Sequence, residues 1–271
     1  MKDSLRLFPI MVVYKSQLKD TEVYQTLLKN WVGEEFMIYD NSPDQFDFDD
    51  SQLPTNAVYV RDINNGGVSK AYNTGAEYAK NKGYSHVLLL DQDTFFPPGA
   101  MSLYLQEADS TSISAPLLQM KNGHPFSPCY RRGFRTKAVD LPAGDYFLSD
   151  YSPVNSGMCI PLSVFFQAGG YNEQVKLDFA DYEFVSRCKR VCNRLTILPF
   201  VAVQDFSNDE KDAVKLHFRY LLYLQSAKAT KWSTLRERIM LHVEVLLHTL
   251  ALTKRTGATT FFKSYLKFLF K

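Results

Sequence analysis

Four short apolar runs alternate with helical patterns between residues 8 and 90, and that alternation leaves few folds open. Residues 8–14 (FPIMVVY) read as a buried strand. Residues 20–31 set Val23, Leu27, Leu28 and Trp31 at helical spacing, with Asp20 or Thr21 as the cap. Residues 36–39 form a second strand, stopped by the turn Asn41-Ser42-Pro43, and residues 57–60 form a third. Residues 68–82 are helical, entered from Asn65-Gly66-Gly67 and closed by Gly83. Residues 86–90 (HVLLL) are the strongest strand and run straight into Asp91-Gln92-Asp93. Strands and helices alternating on short connections imply βαβ units, hence an α/β fold with a largely parallel sheet covered on both faces. Such sheets hold ligands beyond the carboxyl ends of their strands, where Asp40, Asn65 and Asp91 all fall.

From Ser112 the pattern loosens into short strands and loops as far as Cys159. Residues 161–168 predict a short helix with Pro161 at its first position, residues 181–191 another helix, and residues 195–203 a strand. Residues 211–271 are helical throughout, with breaks near Trp232 and Gly257. We therefore expect a catalytic domain over residues 1–205, its nucleotide-binding half at about 1–110 and its acceptor half at about 111–205. A helical extension over 206–271 follows. A formal net charge of +2 on 271 residues does not suggest a nucleic-acid partner. The N-terminal eight residues hold no apolar signal-peptide core, and the uncharged run 151–172 is broken by Pro153, Pro161, Gly169 and Gly170. Neither export nor a membrane span is expected, so Cys129, Cys159, Cys188 and Cys192 are expected to be reduced cytosolic thiols.

Three stretches carry chemistry. In Asp91-Gln92-Asp93, residues two apart on an extended backbone face the same way, so the two carboxylates pair while Gln92 turns aside. Paired carboxylates at a strand end suit Mg²⁺ or Mn²⁺ carrying a diphosphate. The same two aspartates in a surface turn would look alike in sequence. In Asn65–Gly75 (NGGVSKAYNTG), glycines permit close backbone approach and a helix N-terminus favours an anion, though an ordinary glycine-assisted helix start reads the same way. The spacing fits neither a P-loop nor a dinucleotide fingerprint. In Asp178-Phe179-Ala180-Asp181-Tyr182-Glu183, followed by Arg187, acidic residues open a helix, where capping alone is the plainer explanation.

Together these stretches resemble glycosyltransferase family 2. The resemblance spans roughly residues 9–204. It rests on Asp40-Asn41-Ser42 after a strand, Asn65-x-Gly67 with Ala71-x-Asn73-x-Gly75, Asp91-Gln92-Asp93, Ser156-Gly157, and Asp181-x-Glu183-Phe184-x-x-Arg187, in the family's order. The chain is most similar to bacterial rhamnosyltransferase-type members. The resemblance implies a GT-A fold, a dTDP- or UDP-sugar donor, a divalent cation (Mn²⁺ or Mg²⁺), inversion at the anomeric carbon, and a saccharide or lipid-linked acceptor in polysaccharide biosynthesis. Carried over by position, Tyr14 and Asp40 contact the base or nucleoside, and Asn65 and Gly67 belong to the nucleotide site. Asp91 faces the ribose and the metal's waters, Asp93 ligates the metal, and Asp181 is the general base, braced by Glu183 and Arg187. The family's metal-contacting His is expected after the base helix, but Val203-Gln204-Asp205 stands there. Gln204 is a poor replacement, whereas Asp205 offers an oxygen ligand.

Other features carry less. His242, Glu244 and His248 share no helical face suited to one ion, and His124 sits in a turn. Arg131, Arg132 and Arg135 form a basic loop that is either an anion site or a solvated cluster. In the tail, Lys263, Lys267 and Lys271 recur every four residues among Phe261, Phe262, Tyr265, Leu266, Phe268 and Leu269. That pattern suits peripheral contact with the inner face of an anionic membrane, or aromatics packed onto the rest of the protein. Two rivals to the transferase reading are a non-catalytic nucleotide-sugar-binding protein and a sugar nucleotidyltransferase. No glycine precedes Gly33, against the glycine-rich first loop of the latter.

Overall fold

The computed structural model describes residues 5–31, 34–132, 135–204, 212–231 and 234–270. A mixed sheet is its frame. Strands β1 (Leu7–Val13), β2 (Phe36–Asp40), β3 (Ala57–Arg61) and β4 (His86–Asp91) pair in parallel in the order β3-β2-β1-β4. Helix α1 (Val68–Asn81) crosses from β3 to β4. A two-residue strand β5 (Thr94–Phe95) and helix α2 (Ala100–Glu107) follow, then β6 (Ile113–Met120) and β7 (Pro125–Ser127). Strands β8 (Cys129–Arg132), β9 (Arg135–Ala138) and β11 (Tyr151–Ser152) form a separate three-stranded sheet, and β10 (Gly144–Phe147) edges the large one. Strand β12 (Cys159–Pro161) enters between β4 and β6 antiparallel to both, so the sheet is parallel in its first half and mixed in its second. Helices α3 (Leu162–Gln167) and α4 (Ala180–Cys188) lead to the long strand β13 (Arg194–Gln204), parallel to β6. Helices α5 (Ala213–Ala229), α6 (Leu235–Thr256) and α7 (Thr260–Leu269) close the chain.

Every residue of β1 is buried, because alternate side chains enter different cores. Phe8, Ile10 and Val12 join one core with α1, α3, α4 and the last three helices. Leu7, Met11 and Val13 join another with α2 and residues 18–28. Helix α1 lies close on the sheet at Gly75, where a Cβ would come 2.5 Å from the Ile10 side chain.

Residues 20–31 are not the α-helix their spacing predicts. A short 3₁₀ turn at Leu18–Asp20 precedes a π-turn at Tyr24–Leu28, where the Lys29 N–H reaches the Tyr24 carbonyl at 2.8 Å. The Thr26 hydroxyl donates to the Glu22 carbonyl (2.7 Å) and accepts from the Phe96 N–H (3.1 Å), so the side chain takes a carbonyl the α ladder would use. Val23, Leu27 and Leu28 stay buried. Pro161 ends β12 and caps α3 from outside, and α4 stops at Cys188, three residues before the expected end. None of the four cysteines is in a disulfide.

The tail divides its apolar residues. Phe261 and Tyr265 are buried, Phe261 edge-on to Tyr220 of α5, while Phe262, Leu266 and Leu269 are exposed. Among the described residues no helix is long and apolar enough to cross a membrane.

Candidate active site

Asp91 ends β4 and is half-buried; its backbone N–H donates to the Ser156 hydroxyl (3.2 Å), which also meets Thr94 Oγ1 at 2.7 Å. Its Oδ1 accepts from the hydroxyl of Tyr72 (3.1 Å), a fully buried residue of α1. The Gln204 amide at the end of β13 donates to Asp93 Oδ1 at 2.8 Å and to Asp91 Oδ2 at 3.4 Å. Burial and then the neighbouring Asp93 charge push the Asp91 carboxyl up to about 7, against the Tyr72 and Gln204 hydrogen bonds, with Asp181 adding to the repulsion. Gln92 turns the other way and holds the Tyr14 backbone, its Oε1 accepting from the Tyr14 N–H at 2.8 Å.

This donor set fits a hard divalent cation. Two carboxylates converge on a single amide nitrogen, and their mutual repulsion is what a cation would relieve. Among the described residues no cluster of three or more His, Cys, Asp or Glu side chains has metal-ligand geometry. Two protein carboxylates with remaining ligands from a diphosphate is the arrangement Mg²⁺-type ions accept. Asp205 lies outside the described residues, as do the side chains of Arg131, Arg132 and Arg135. His248 packs on the Tyr223 ring and His242 on Phe268, at separate places on α6.

The ends of β1 to β3 hold the other sequence candidates. The Tyr14 ring is exposed. Asp40 is fully buried, with one carboxylate oxygen on the Ser42 N–H (2.8 Å) and the other on the Tyr59 hydroxyl (2.9 Å). Asp62, which sequence reading passed over, accepts from the Tyr39 hydroxyl (2.9 Å), Lys70 Nζ (2.8 Å) and the Gly66 N–H (3.2 Å). Burial raises its pKa, but the Lys70 and Tyr39 hydrogen bonds outweigh it and hold the carboxyl below the usual range.

Asn65 is exposed, with φ at 48°, and its carbonyl accepts from Lys176 Nζ at 3.1 Å. Gly67, with φ at 88°, is where the chain before α4 crosses α1, and a Cβ there would sit 2.2 Å from the Lys176 carbonyl oxygen. That carbonyl accepts the Val68 N–H at 2.8 Å. The glycine thus serves an approach between two protein segments. Asn73 completes the joint by accepting the Tyr171 N–H (2.8 Å) and donating to the Tyr171 carbonyl (2.9 Å).

Helix α4 is entered from Phe179, whose φ of 70° turns the chain sharply between Asp178 and Asp181. Asp181 Oδ1 accepts the Tyr182 N–H at 2.7 Å. Two residues on, Glu183 is 1% exposed and paired with Arg187 through two hydrogen bonds of 3.0 and 2.6 Å. Arg187 also donates to the Ala168 and Gly170 carbonyls, so the pair ties α4 to the turn after α3. Arg187→Ala would leave a buried, uncompensated carboxylate, and we expect it to cost about 3–5 kcal/mol of folding stability. Urea melts of the two proteins check this.

A cleft of about 330 Å³ brings Asp91, Asp181 and Gln204 together. Its far wall comes from the C-terminal helices: Arg219 and Tyr223 of α5 and Glu244 of α6. Arg219 pairs with Asp178 at 2.9 Å, and the Tyr223 ring packs on Phe179 at 4.8 Å. Burial raises the Asp178 carboxyl despite Arg219. Sequence reading did not single out Arg219 or Tyr223; their only signal was a shared helical face four residues apart.

The sequence profile described as Glycosyl transferase family 2 matches residues 34–139. The chain is 22% identical over 199 residues to the dTDP-rhamnosyl transferase RfbF of Shigella flexneri, covering 71% of this chain and 66% of that protein. It therefore spans slightly less than two thirds of that relative. Among solved structures it is similar to GalNAc-T7 with UDP, GalNAc and Mn²⁺ (TM-score 0.55, 12% identity, 90% of this chain and 55% of that one). It is also similar to the mannosyltransferase PcManGT of Pyrobaculum calidifontis with GDP-Man and Mn²⁺ (TM-score 0.55, 14% identity, 94% and 74%). Sheet topology, motif order and these likenesses agree that this is a GT-A-fold chain similar to glycosyltransferase family 2, rhamnosyltransferase-type members among them.

Proposed function

We propose that the chain is an inverting, divalent-metal-dependent glycosyltransferase of polysaccharide assembly. The observation that carries this reading is the single cleft shared by Asp91 and Asp181, with Asp93 joined to Asp91 through Gln204. Residues 1–205 are the catalytic part, and 206–271 are an extension that walls the acceptor side. Asp93 would hold the cation directly with Asp91 beside it, and the cation would neutralise charge on the departing diphosphate. Asp181 accepts the proton of the acceptor hydroxyl as its oxygen bonds to the anomeric carbon. The bond from that carbon to the diphosphate breaks with its electrons on the leaving oxygen, and one displacement inverts the centre.

Tyr14 meets the nucleoside with an open ring. Asp40, both of its oxygens engaged, shapes that end of the site through Ser42 and Tyr59. Asn65 and Gly67 border the nucleotide site. Glu183 and Arg187 hold the helix that carries the base.

The donor is a dTDP-sugar, rhamnose first, with UDP-hexoses second; similarity to a dTDP-rhamnosyl transferase supports that order. The acceptor is a saccharide, free or lipid-linked, met through peripheral contact of the C-terminal helices with the inner face of the membrane. The test is nucleoside diphosphate release from a donor panel with Mn²⁺, with free dTDP and UDP as competitors. We expect dTDP to compete at lower concentration, and preference for UDP overturns the rhamnose reading. No release from any donor returns the chain to the non-catalytic alternative.

A further inference from the structure

Away from the cleft, where the end of α5 meets the start of α6 and the end of α7, lies a cavity of about 660 Å³. Lys228, Lys231 and Arg238 line it, and among the described residues none of the lining is acidic. None of these three cations forms an ion pair among the described residues. Thr234 caps α6 by accepting the Glu237 N–H at 3.2 Å, so the positive end of a 22-residue helix faces the same space. Glu237, the acid of that first turn, is directed instead to Ser186 and Lys189, at 3.4 and 3.9 Å. On the inner side, His242 packs on Phe268 at 5.6 Å, and among the described residues its buried Nδ1 meets no hydrogen-bond partner. That polar atom shares the cavity with the three cations.

Exposed apolar side chains adjoin it: Leu235 and Leu269 of the lining are 73% and 42% exposed, and Phe270, next in the chain, is 85% exposed. Ile239, one turn on from Leu235, and Phe262 and Leu266, on the face shared with Leu269, continue the exposed apolar surface. Beyond Glu244 the sequence contains no acid. A soluble anion would satisfy the cations but leave those apolar side chains in water. An amphiphile with a phosphate head and alkyl chains satisfies both.

We propose that this cavity is a headgroup site for an anionic phospholipid, holding the phosphate between Lys228, Lys231 and Arg238 while Leu235, Leu269 and Phe270 enter the bilayer surface. It rests on the peripheral membrane contact proposed above and is independent of the donor and the reaction.

The test is co-sedimentation of the full chain with phosphatidylglycerol-containing vesicles and with pure phosphatidylcholine vesicles. Wild type is expected to pellet with the first only. The triple change Lys228→Ala, Lys231→Ala, Arg238→Ala is expected to weaken that binding roughly 100-fold, the combined worth of three cations near such a surface. Leu269→Ser with Phe270→Ser is expected to weaken it as well. Unchanged melting temperature and unchanged binding of free dTDP in these variants would show that fold and nucleotide site are intact. Equal pelleting of wild type and the triple variant overturns the proposal. So does a wild type that ignores vesicles while inorganic phosphate alone raises its melting point, which would make the cavity a site for a free anion.

Discussion

Asp181→Asn is expected to lower sugar transfer by roughly 10²–10⁴-fold while nucleoside diphosphate binding stays near wild type, the usual loss for a positioned general base. Asparagine keeps the shape and can still accept the Tyr182 N–H, so α4 keeps its start. What disappears is the ability to take a proton. The rival for this role is Asp178, three residues earlier, which is committed to Arg219 at 2.9 Å across the cleft wall. Single-turnover measurements on Asp178→Asn and Asp181→Asn separate the two. A mild Asp181→Asn beside a crippled Asp178→Asn would put the base on the wrong turn of the chain.

The second large effect is expected at Asp93. Asp93→Asn should abolish measurable transfer and sharply weaken Mn²⁺-dependent binding of nucleoside diphosphate, because a carboxylate ligand is lost. The fold should be spared, since an asparagine oxygen still accepts the Gln204 amide. Electron paramagnetic resonance of free Mn²⁺, read with and without nucleoside diphosphate, reports the loss directly. Full wild-type activity in EDTA would remove the metal from the mechanism.

Strands β1 to β4 and helix α1 were legible in the sequence because their signals are local: apolar runs of strand length and small residues at helical spacing. The π-turn at Tyr24–Leu28 was not, because it depends on Thr26 meeting Phe96, a residue seventy positions away. The antiparallel entry of β12 was equally hidden, since nothing within three residues says which strands they join. At the site, Asp91 and Asp93 were expected to face one way on an extended backbone, but residues 92 and 93 form a turn, and the two carboxylates meet at the Gln204 amide. That Gln204 would span both required the register of β13 against β5. Gly67 was expected to let the backbone approach a bound ligand, whereas what approaches is the chain at Lys176. Arg219 and Tyr223 were out of reach, because a helix face carries no label saying what it will be packed against.

The wall formed by α5 has a further consequence. Every carboxylate proposed for the chemistry precedes residue 205, whereas Arg219 and Tyr223 follow it on a separate helix of the chain. Arg219 and Tyr223 nevertheless hold Asp178 and Phe179, the two residues just before the helix that carries Asp181, so a change at either reaches that helix as well as the cleft. What the wall admits and how the chain before α4 is held are therefore set by the same two side chains of α5, and a substitution at either alters both.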